Sequence, residues 1–330
     1  AQIAKDWHQG ISRRSTLLTK NHQEQVAEAM QYASYIYPTH GQDTPFLREM
    51  EKSKDPQLPI LLSYEHPDLI ESRQNYLEKN NEQAQVIKEV EENLEKMGFK
   101  ADYLGNYYHV KSGTTFNLVL NPNTKEIVFA FKGLGNEAQL GKSEKYPERS
   151  VSKAEQRWIL FKSCYNAVAD WLGIIPRASL QAIEIGKMVK KAAEGSSLTP
   201  VMVGHSHGGG LAQAAAASVG LKSYVFNSRP LGAATRRYIG QDKIAENSRQ
   251  MVAFSVQGDW LTRNLVANAV ASLFERVIGI ALPRSIGTGY VIPKRKGDDL
   301  KWSHTKFYYQ LSELLDSSEP KGPEENSNTN

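Results

Sequence analysis

Ser206 is the residue of this 330-residue chain whose surroundings are most typical of covalent chemistry. It lies in the middle of the segment GHSHG at 204–208, which has the G-x-S-x-G pattern of a nucleophile elbow. An apolar run at 201–203 precedes this segment and a small-residue run follows it, as at a turn from strand to helix. Such a turn strains its central residue and admits only small residues two positions away, here Gly204 and Gly208. The segment predicts a nucleophile near a helix N-terminus; the alternative is a glycine turn with an incidental serine.

A serine hydroxyl needs a base to take its proton, and only two histidines follow Ser206. His207 is adjacent in sequence, so we expect its side chain to point away from Ser206 Oγ while its backbone N–H faces the developing oxyanion. His304 lies beyond the last predicted strand, where a loop could return it to Ser206. The sequence therefore predicts His304 as the base; the alternative is a structural histidine.

The base in turn needs a carboxylate that orients it. Asp259 follows the predicted strand 251–256 closely, which places it at the same carboxyl edge of a sheet as Ser206. Asp242 is the second candidate, although no strand directly precedes it. Asp298 and Asp299 are too near His304 in a charged loop to be the buried partner. We therefore expect Asp259 to complete a triad.

Two backbone N–H groups are expected to bind the oxyanion. One belongs to His207, directly after the nucleophile. The other is expected to be the N–H of Leu134, in the loop after the predicted strand at 127–131. The alternative for this loop is an ordinary glycine-containing strand end.

The elements that would position these residues alternate between strands and helices. Apolar runs predict strands at 107–110, 116–120, 127–131, 201–203, 223–226 and 251–256, the second and third forming a hairpin. Apolar spacings of three and four predict helices at 22–36, 79–97 and 153–173, the last carrying a stripe from Trp158 to Leu172, and another helix fits 178–193. This alternation predicts an α/β fold with a mostly parallel central sheet and helices on both faces.

The chain divides by composition into three regions. Residues 1–100 are polar and helical and are expected to form a mostly solvated extension, 101–315 form the catalytic domain, and the Pro-, Glu-, Asn- and Ser-rich tail at 316–330 is expected to be disordered.

Charge and cysteine content exclude several classes of protein. The formal net charge of +4 includes no long basic run, so a nucleic-acid partner is not expected. The single cysteine, Cys164, excludes an internal disulfide and is expected to be a small buried thiol. No continuous apolar stretch is long enough for a transmembrane helix. His205 and His207 could be read as a metal pair, but no acidic or cysteine ligand nearby completes a site, so neither metal nor cofactor is expected.

With these pieces in order, the chain resembles the class 3 lipases, an α/β-hydrolase family that includes fungal triacylglycerol lipases and bacterial and plant phospholipases A1. The resemblance extends over about 105–312 and is carried by four segments: 127–134 is similar to the family's strand ending F-R-G-T, 202–212 to its G-H-S-L-G-G-A-L-A elbow, 224–232 to its strand ending F-G-x-P-R-x-G, and 258–263 to its segment with the catalytic aspartate. It implies an α/β-hydrolase fold and a triad of Ser206, Asp259 and His304.

The chain also departs from the family pattern. His207 replaces the usual leucine, and Leu134 replaces the threonine or serine whose hydroxyl assists the oxyanion hole, so only its N–H remains. Two segments are candidates for a lid. The segment 136–152 is polar and is equally explained as a long loop, whereas 265–282 is apolar and the better candidate, with a packed core helix as the favoured alternative.

The resemblance implies hydrolysis of a lipid carboxylic ester at a membrane surface. Phospholipase A1 or lysophospholipase activity is favoured over triacylglycerol lipase activity, because the polar N-terminal region and the basic cluster at 294–296 suit phospholipid surfaces. The alternatives are a soluble-ester or thioester hydrolase and a catalytically weak lipid-binding protein. The compartment and any protein partner of the N-terminal region stay open; one hypothesis is a secreted bacterial protein that acts on membranes.

Overall fold

The computed structural model describes residues 16–38, 58–64, 67–134, 140–141, 144–257, 259, 285–294 and 307–316. Its centre is one sheet of ten described strands, with the spatial order β1-β10-β9-β8-β7-β6-β5-β4-β3 and with β2 paired to β5. The strands are β1 (Thr16–Leu17), β2 (Ile60–Leu61), β3 (Lys100–Ala101), β4 (Asn106–His109), β5 (Thr114–Asn121), β6 (Glu126–Phe131), β7 (Thr199–His205), β8 (Lys222–Phe226), β9 (Met251–Val256) and β10 (Thr288–Ile292).

The helices are α1 (Gln23–Ile36), α2 (Pro67–Lys79), α3 (Asn81–Lys96), α4 (Lys153–Trp171), α5 (Arg177–Ala192), α6 (His207–Val219), α7 (Ala233–Ile239), α8 (Gln241–Asn247) and α9 (Phe307–Asp316). Two short 3₁₀ turns lie at Pro147–Arg149 and Ser248–Gln250. The sequence did not predict α2, α7 or α8.

Strand direction divides the sheet into two parts. From β6 through β7, β8, β9 and β10 to β1, all neighbours are parallel, whereas β2, β3, β4 and β5 pair antiparallel. The predicted hairpin is present as β5 and β6, joined across Asn121 and Glu126. The prediction of an α/β fold with a mostly parallel central sheet is confirmed. Because parallel strands end at the same edge, the segments after β6, β7, β8 and β9 converge there.

Each face of the sheet is covered by helices. One face packs on α3, α5 and α6 through alternate strand residues such as Phe129 and Met202. The other face packs on α1 and α9 through the intervening residues such as Val128 and Val203. This alternation follows from the two-residue period of a strand, and burial on both faces explains why the central strands are continuously apolar.

The first described residues join this sheet and its core. Strand β1 pairs in parallel with β10, with Thr16 opposite Tyr290 and Leu17 opposite Val291. In α1, Tyr32, Tyr35 and Ile36 are buried against the sheet. The expectation of a mostly solvated N-terminal extension is therefore wrong for the inner face of α1. It is also wrong for α3, whose Val86, Ile87 and Val90 are buried on the other face of the sheet. The sequence misled because the apolar residues of α1 are mainly alanine and tyrosine, which spacing rules weight less than leucine or valine.

Helix α4 begins at a capping box, in which Ser152 Oγ accepts from the Glu155 N–H and the Glu155 carboxylate accepts from the Ser152 N–H. The predicted stripe from Trp158 to Leu172 is on this helix, but its side chains are exposed. Cys164 is exposed as well, so the expectation of a buried thiol is wrong.

Several expectations lie outside the described residues: the apolar segment 265–282, residues 295 and 296 of the basic cluster, the tail at 317–330 and the position of His304. Asp316, which the sequence placed in the tail, is the last residue of α9. Of the helices that the structure does describe, none has the length and apolar character needed to cross a bilayer.

Candidate active site

Ser206 lies at the turn between β7 and α6, with a backbone conformation of φ 55° and ψ −120°. A positive φ is unfavourable for a non-glycine residue, so the surrounding contacts must hold it. The Ser206 N–H donates to the carbonyl of Phe226 over 3.1 Å, and the Ser206 carbonyl accepts from Arg229 N–H over 3.1 Å. The turn is thus bonded to the last residue of β8 and to the segment that follows it. The hydroxyl makes no capping bond to α6.

The two elbow glycines are required by space. A Cβ atom on Gly204 would lie 2.3 Å from the carbonyl oxygen of Gly208, and one on Gly208 would lie 2.4 Å from that of Phe131. Both distances are far below contact between a methyl group and an oxygen. The sequence predicts that side chains two positions before and after the serine would collide with the main chain, and these distances agree with that prediction.

The loop after β6 lies directly beside the nucleophile. A Cβ atom on Gly133 would stand 3.0 Å from Cβ of Ser206 and 3.0 Å from Nδ1 of His205. Leu134, the next residue, is half-buried. The structure therefore brings the predicted oxyanion loop to Ser206, as the register of β6 on β7 requires.

Tyr37, which the sequence analysis did not single out, holds this loop in place. Its hydroxyl accepts from the Gly133 N–H over 3.0 Å and lies 2.7 Å from Nδ1 of His205. Tyr37 follows the last residue of α1, so burial of that helix against the sheet determines where its hydroxyl lies. A tyrosine 169 positions before the nucleophile gives no local sequence signal.

Lys132, on the same loop, is buried and points into a polar cluster. Its Nζ bonds to Oδ1 of Asn106 and lies 5.8 Å from the centre of the Tyr37 ring. Asn106 Nδ2 in turn donates to the carboxylate of Asp102, which also accepts from the Gly141 N–H. Burial raises the pKa of Asp102, while these donors and Lys132 oppose the rise. The cluster anchors both ends of the segment that follows β6.

His207, the first residue of α6, is buried and bonded to a buried ion pair. Its Nδ1 accepts from Arg229 Nε over 3.0 Å, and Arg229 pairs with Asp170 near the end of α4. The proton of the neutral ring is therefore on Nε2, which has no hydrogen-bond partner among the described residues. Burial, and secondarily the charge of Arg229, lower the pKa of His207 well below its ordinary value.

This arrangement has a chemical consequence for His207. The guanidinium N–H of Arg229 occupies the lone pair of Nδ1, and a protonated ring would face the same cation. The ring is therefore a poor proton acceptor. Its backbone N–H stays at the start of α6. The carboxylate of the ion pair has further donors, because Asp170 also accepts from the Gly232 N–H over 3.0 Å and from Thr235 Oγ1 over 2.9 Å.

Asp259 is fully buried at the same edge of the sheet as Ser206. Its N–H donates to the carbonyl of Val256 over 2.9 Å, which closes a turn directly after β9. Asn227, with φ 42°, fixes the neighbouring strand end: its Oδ1 accepts from the Val256 N–H over 2.8 Å. The expectation that the segment carrying Asp259 follows β9 to this edge agrees with the structure. Asp242, the second candidate, lies instead in the first turn of α8.

His304 lies outside the described residues, but its neighbour along the chain does not. Phe307, the first residue of α9, packs its ring 4.8 Å from the ring of His205 and 5.0 Å from that of Phe226. The chain therefore returns to the elbow three residues after His304.

The two histidines beside Ser206 bond to different partners. The described residues contain no group of three or more His, Cys, Asp or Glu side chains that could hold a metal ion. The side chains of His205 and His207 bond separately, to Tyr37 and to Arg229. They do not form a pair.

A family model described as a phospholipase-like, Tle-like phospholipase domain matches residues 164–304. The match covers less than half of the chain and includes Ser206, Asp259 and His304. No curated protein matches the chain. The chain thus contains a segment similar to a phospholipase domain, which supports a lipid-hydrolysing enzyme in general.

Proposed function

We propose that the protein has an α/β-hydrolase fold, similar to that of the class 3 lipases, and hydrolyses a carboxylic ester of a phospholipid through an acyl-Ser206 intermediate. The observation that carries the proposal is the backbone of Ser206, at φ 55° and ψ −120°, on a turn from a central parallel strand into a helix. This conformation is costly and persists where it serves a site. The phospholipase-like match over 164–304 supports the choice of substrate.

In the proposed reaction, Ser206 Oγ attacks the ester carbonyl carbon while the base takes the hydroxyl proton. The carbonyl oxygen becomes an oxyanion, to which backbone N–H groups of His207 and Leu134 donate. The bond to the alcohol then breaks, and the alcohol leaves with the proton from the base. Water, activated by the same base, attacks the acyl-serine and releases the fatty acid. No cofactor is needed at any step.

His304 is proposed as the base and Asp259 as the carboxylate that orients it. His207 is a poor candidate, because its Nδ1 accepts from Arg229 and its pKa is lowered. The proposal for His304 is supported by Phe307, which lies three residues later and is in contact with His205, because three residues span at most about 11 Å. Burial of Asp259 at the same edge suits a carboxylate that stabilises an imidazolium.

Leu134 contributes an N–H but no side-chain donor to the proposed oxyanion hole. The Gly133 N–H is occupied by Tyr37, so the next N–H along the loop is the natural choice for the second donor. Losing one oxyanion donor costs on the order of 10²-fold or more in other hydrolases. We therefore propose modest turnover for this protein.

Phospholipase A1 or lysophospholipase specificity is proposed over triacylglycerol lipase activity. The experiment is hydrolysis of a phosphatidylglycerol with different acyl chains at its two positions, followed by mass analysis of the fatty acids and lysolipids. Release of the sn-1 chain is expected. Release of the sn-2 chain would reject the A1 assignment, and exclusive cleavage of a triacylglycerol emulsion would reject phospholipid as the substrate.

Ser206→Ala is expected to lower this hydrolysis by at least about 10³-fold, because triad members act as a unit. Ser218→Ala is the matched control, since Ser218 lies at the far end of the same helix and bonds only within it, to the Ala215 carbonyl. Its activity should equal that of the wild type. Undiminished hydrolysis by Ser206→Ala would reject the assignment of the nucleophile.

A further inference from the structure

Helix α4 exposes its apolar stripe and buries several polar residues. Its buried face carries Ser163, Asn166 and Asp170 together with Ile159 and Ala169. Its outer face, by which we mean the following five side chains, is apolar and between 47% and 69% exposed: Trp158, Phe161, Tyr165, Val168 and Leu172. A helix of a water-soluble domain normally turns its apolar stripe toward the core. A contiguous apolar surface of this kind marks an interaction site.

The buried face explains why the helix is oriented in this way. Ser163 Oγ donates to the Gly113 carbonyl over 2.8 Å, and Asn166 Nδ2 donates to the Ser112 carbonyl over 2.5 Å. Gly113 approaches so closely that a Cβ atom there would lie 2.8 Å from the Ile159 carbonyl oxygen. These bonds and the Asp170–Arg229 pair fix the rotation of α4. The outer face is therefore held outward by specific bonds.

The outer face lies beside the candidate active site. Ser112 and Gly113 belong to the turn between β4 and β5, which is at the carboxyl edge of β6 because β5 begins opposite the end of that strand. At the other end of the helix, Asp170 reaches His207 through Arg229. Helix α4 thus runs along the edge of the sheet at which Ser206 lies.

The charges on the flanks of the outer face are positive, except for that of Glu155. At 100° per residue, Lys153 and Arg157 fall on one flank of the stripe and Lys162 on the other. Lys162 Nζ lies 4.7 Å from the centre of the Trp158 ring and 5.8 Å from that of Tyr165. The acidic residues of α4 are engaged internally, Glu155 in the capping box and Asp170 with Arg229.

From these observations we infer that the outer face of α4 binds the surface of an anionic phospholipid bilayer and presents the active-site edge to it. Tryptophan and tyrosine prefer the interfacial zone of a membrane, aliphatic and phenylalanine side chains enter the acyl boundary, and flanking lysine and arginine pair with anionic headgroups. The choice of phospholipid as the partner rests on the proposed function. The exposure and the charge of the outer face do not depend on the proposed function.

The test uses the full chain with Ser206→Ala, so that lipid is not consumed. Cys164, the only cysteine of the chain, is exposed on α4 and can carry a thiol-reactive, environment-sensitive fluorophore. Vesicles of phosphatidylcholine alone and of phosphatidylcholine mixed with phosphatidylglycerol are titrated in. We expect a blue shift and co-flotation with the mixed vesicles, both weakened by salt.

Phe161→Gln combined with Val168→Gln should lower binding to the mixed vesicles on the order of tenfold or more, since burial of one such side chain alone is worth about that factor. Leu17→Thr is the matched control, because Leu17 is 51% exposed on β1, at the other end of the sheet, and binding should not change. The inference is overturned if the protein does not bind the mixed vesicles, or if the double variant binds them equally well. It is also overturned if Cys164 is shielded in a self-associated form that the double variant dissociates.

Hydrolysis of a soluble short-chain ester separates this inference from the proposed function. In the Ser206 protein, Phe161→Gln with Val168→Gln should leave that reaction unchanged and lower hydrolysis of the mixed vesicles. Vesicle binding without hydrolysis of either substrate would reject the function and keep the bilayer surface. Hydrolysis of both substrates without vesicle binding would reject the bilayer surface and keep the proposed function.

Discussion

At the scale of single residues, the site is built from groups that hold one another in positions they would not adopt alone. Ser206 keeps a positive φ because its N–H and carbonyl are both bonded to the segment that ends β8. His207 stays neutral because it is buried against Arg229. The reactive serine is thus presented by neighbours whose own protonation states and contacts are already fixed.

Tyr37→Phe tests whether the Tyr37 hydroxyl positions the oxyanion loop. The change leaves the Gly133 N–H without its acceptor, so the loop beside Ser206 should loosen. We expect kcat for a soluble ester to fall on the order of tenfold with KM little changed, less than the 10²–10³-fold loss of a donor itself.

Tyr35→Phe is the control for this loss. It removes a comparable buried bond, from Asn121 Nδ2 to the Tyr35 hydroxyl, at the opposite end of β5. Both variants should lose on the order of 1 kcal/mol of stability. Equal kcat in Tyr37→Phe and Tyr35→Phe would show that Tyr37 has only a structural role.

His207 makes the stability of the protein depend on pH. Its pKa is lowered in the fold, whereas in the unfolded chain it is about 6.5. The full stability is therefore present above about pH 6.5 and declines as the pH falls below it, because the unfolded state takes up a proton that the folded state resists.

His207→Asn removes this dependence, since asparagine can accept from Arg229 and does not titrate. Between about pH 7.5 and 5.5, urea denaturation should show the wild type losing about 1 kcal/mol more than the variant. Parallel pH profiles for the two proteins would contradict the lowered pKa of His207.

Sequence reasoning reached the residues whose chemistry has a local pattern. The GHSHG segment identified Ser206 and both glycines, and strand order led to Asp259. It missed Tyr37, Arg229 and Asp170, which act through contacts between distant segments. Arg229 lies within the segment 224–232 that resembles the class 3 lipases, but its sequence context does not show that it bonds to His207 and Asp170. Whether Asp259 and His304 meet Ser206 in a triad stays a prediction.

At the scale of elements, the β7–α6 turn depends on close backbone packing. Gly208→Ala would bring a methyl group against the carbonyl oxygens of Phe131 and Lys132. Because both atoms belong to the main chain at the end of β6, the turn must move away from the oxyanion loop. We expect loss of ester turnover together with at least about 2 kcal/mol of stability, measured by urea denaturation.

Gly195→Ala is the control for this substitution. Gly195 has φ 75° and no heavy atom within 4 Å of an added Cβ, so only the backbone conformation is penalised. It should cost about 1 kcal/mol and leave turnover unchanged. A Gly208→Ala protein that is as active and stable as Gly195→Ala would contradict the close packing of the elbow.

The elements show why periodicity alone is incomplete. It located α4 and its stripe correctly, but it could not tell which face is buried, because Ser163 and Asn166 bind main-chain carbonyls that only the folded β4–β5 turn supplies. The same limit explains the wrong expectation for Cys164.

At the scale of the whole molecule, the first described helix belongs to the same folding unit as the sheet. Ile36 is fully buried among residues of the sheet face. Ile36→Ala should therefore lower the free energy of global unfolding by about 2–5 kcal/mol in one cooperative transition. The exposed Gln23→Ala on the same helix should change it by less than about 0.5 kcal/mol. A separate early transition for α1 would restore the picture of a detached extension.

The order of the parallel strands could be predicted, because alternating strands and helices favour few topologies. The joining of β1 to β10 could not, since these pairs are more than 270 positions apart and Leu17 is exposed. Long-range pairing of a two-residue strand leaves no periodic pattern.

Labelling by a fluorophosphonate tests directly whether Ser206 is the nucleophile. The reagent should add its phosphonyl group to the wild type once, on the peptide that contains Ser206, and abolish phospholipid hydrolysis in proportion to labelling. Ser206→Ala should stay unlabelled, whereas Ser218→Ala should label as the wild type does. Labelling of Ser206→Ala at another residue, with hydrolysis retained, would show that Ser206 is not the nucleophile.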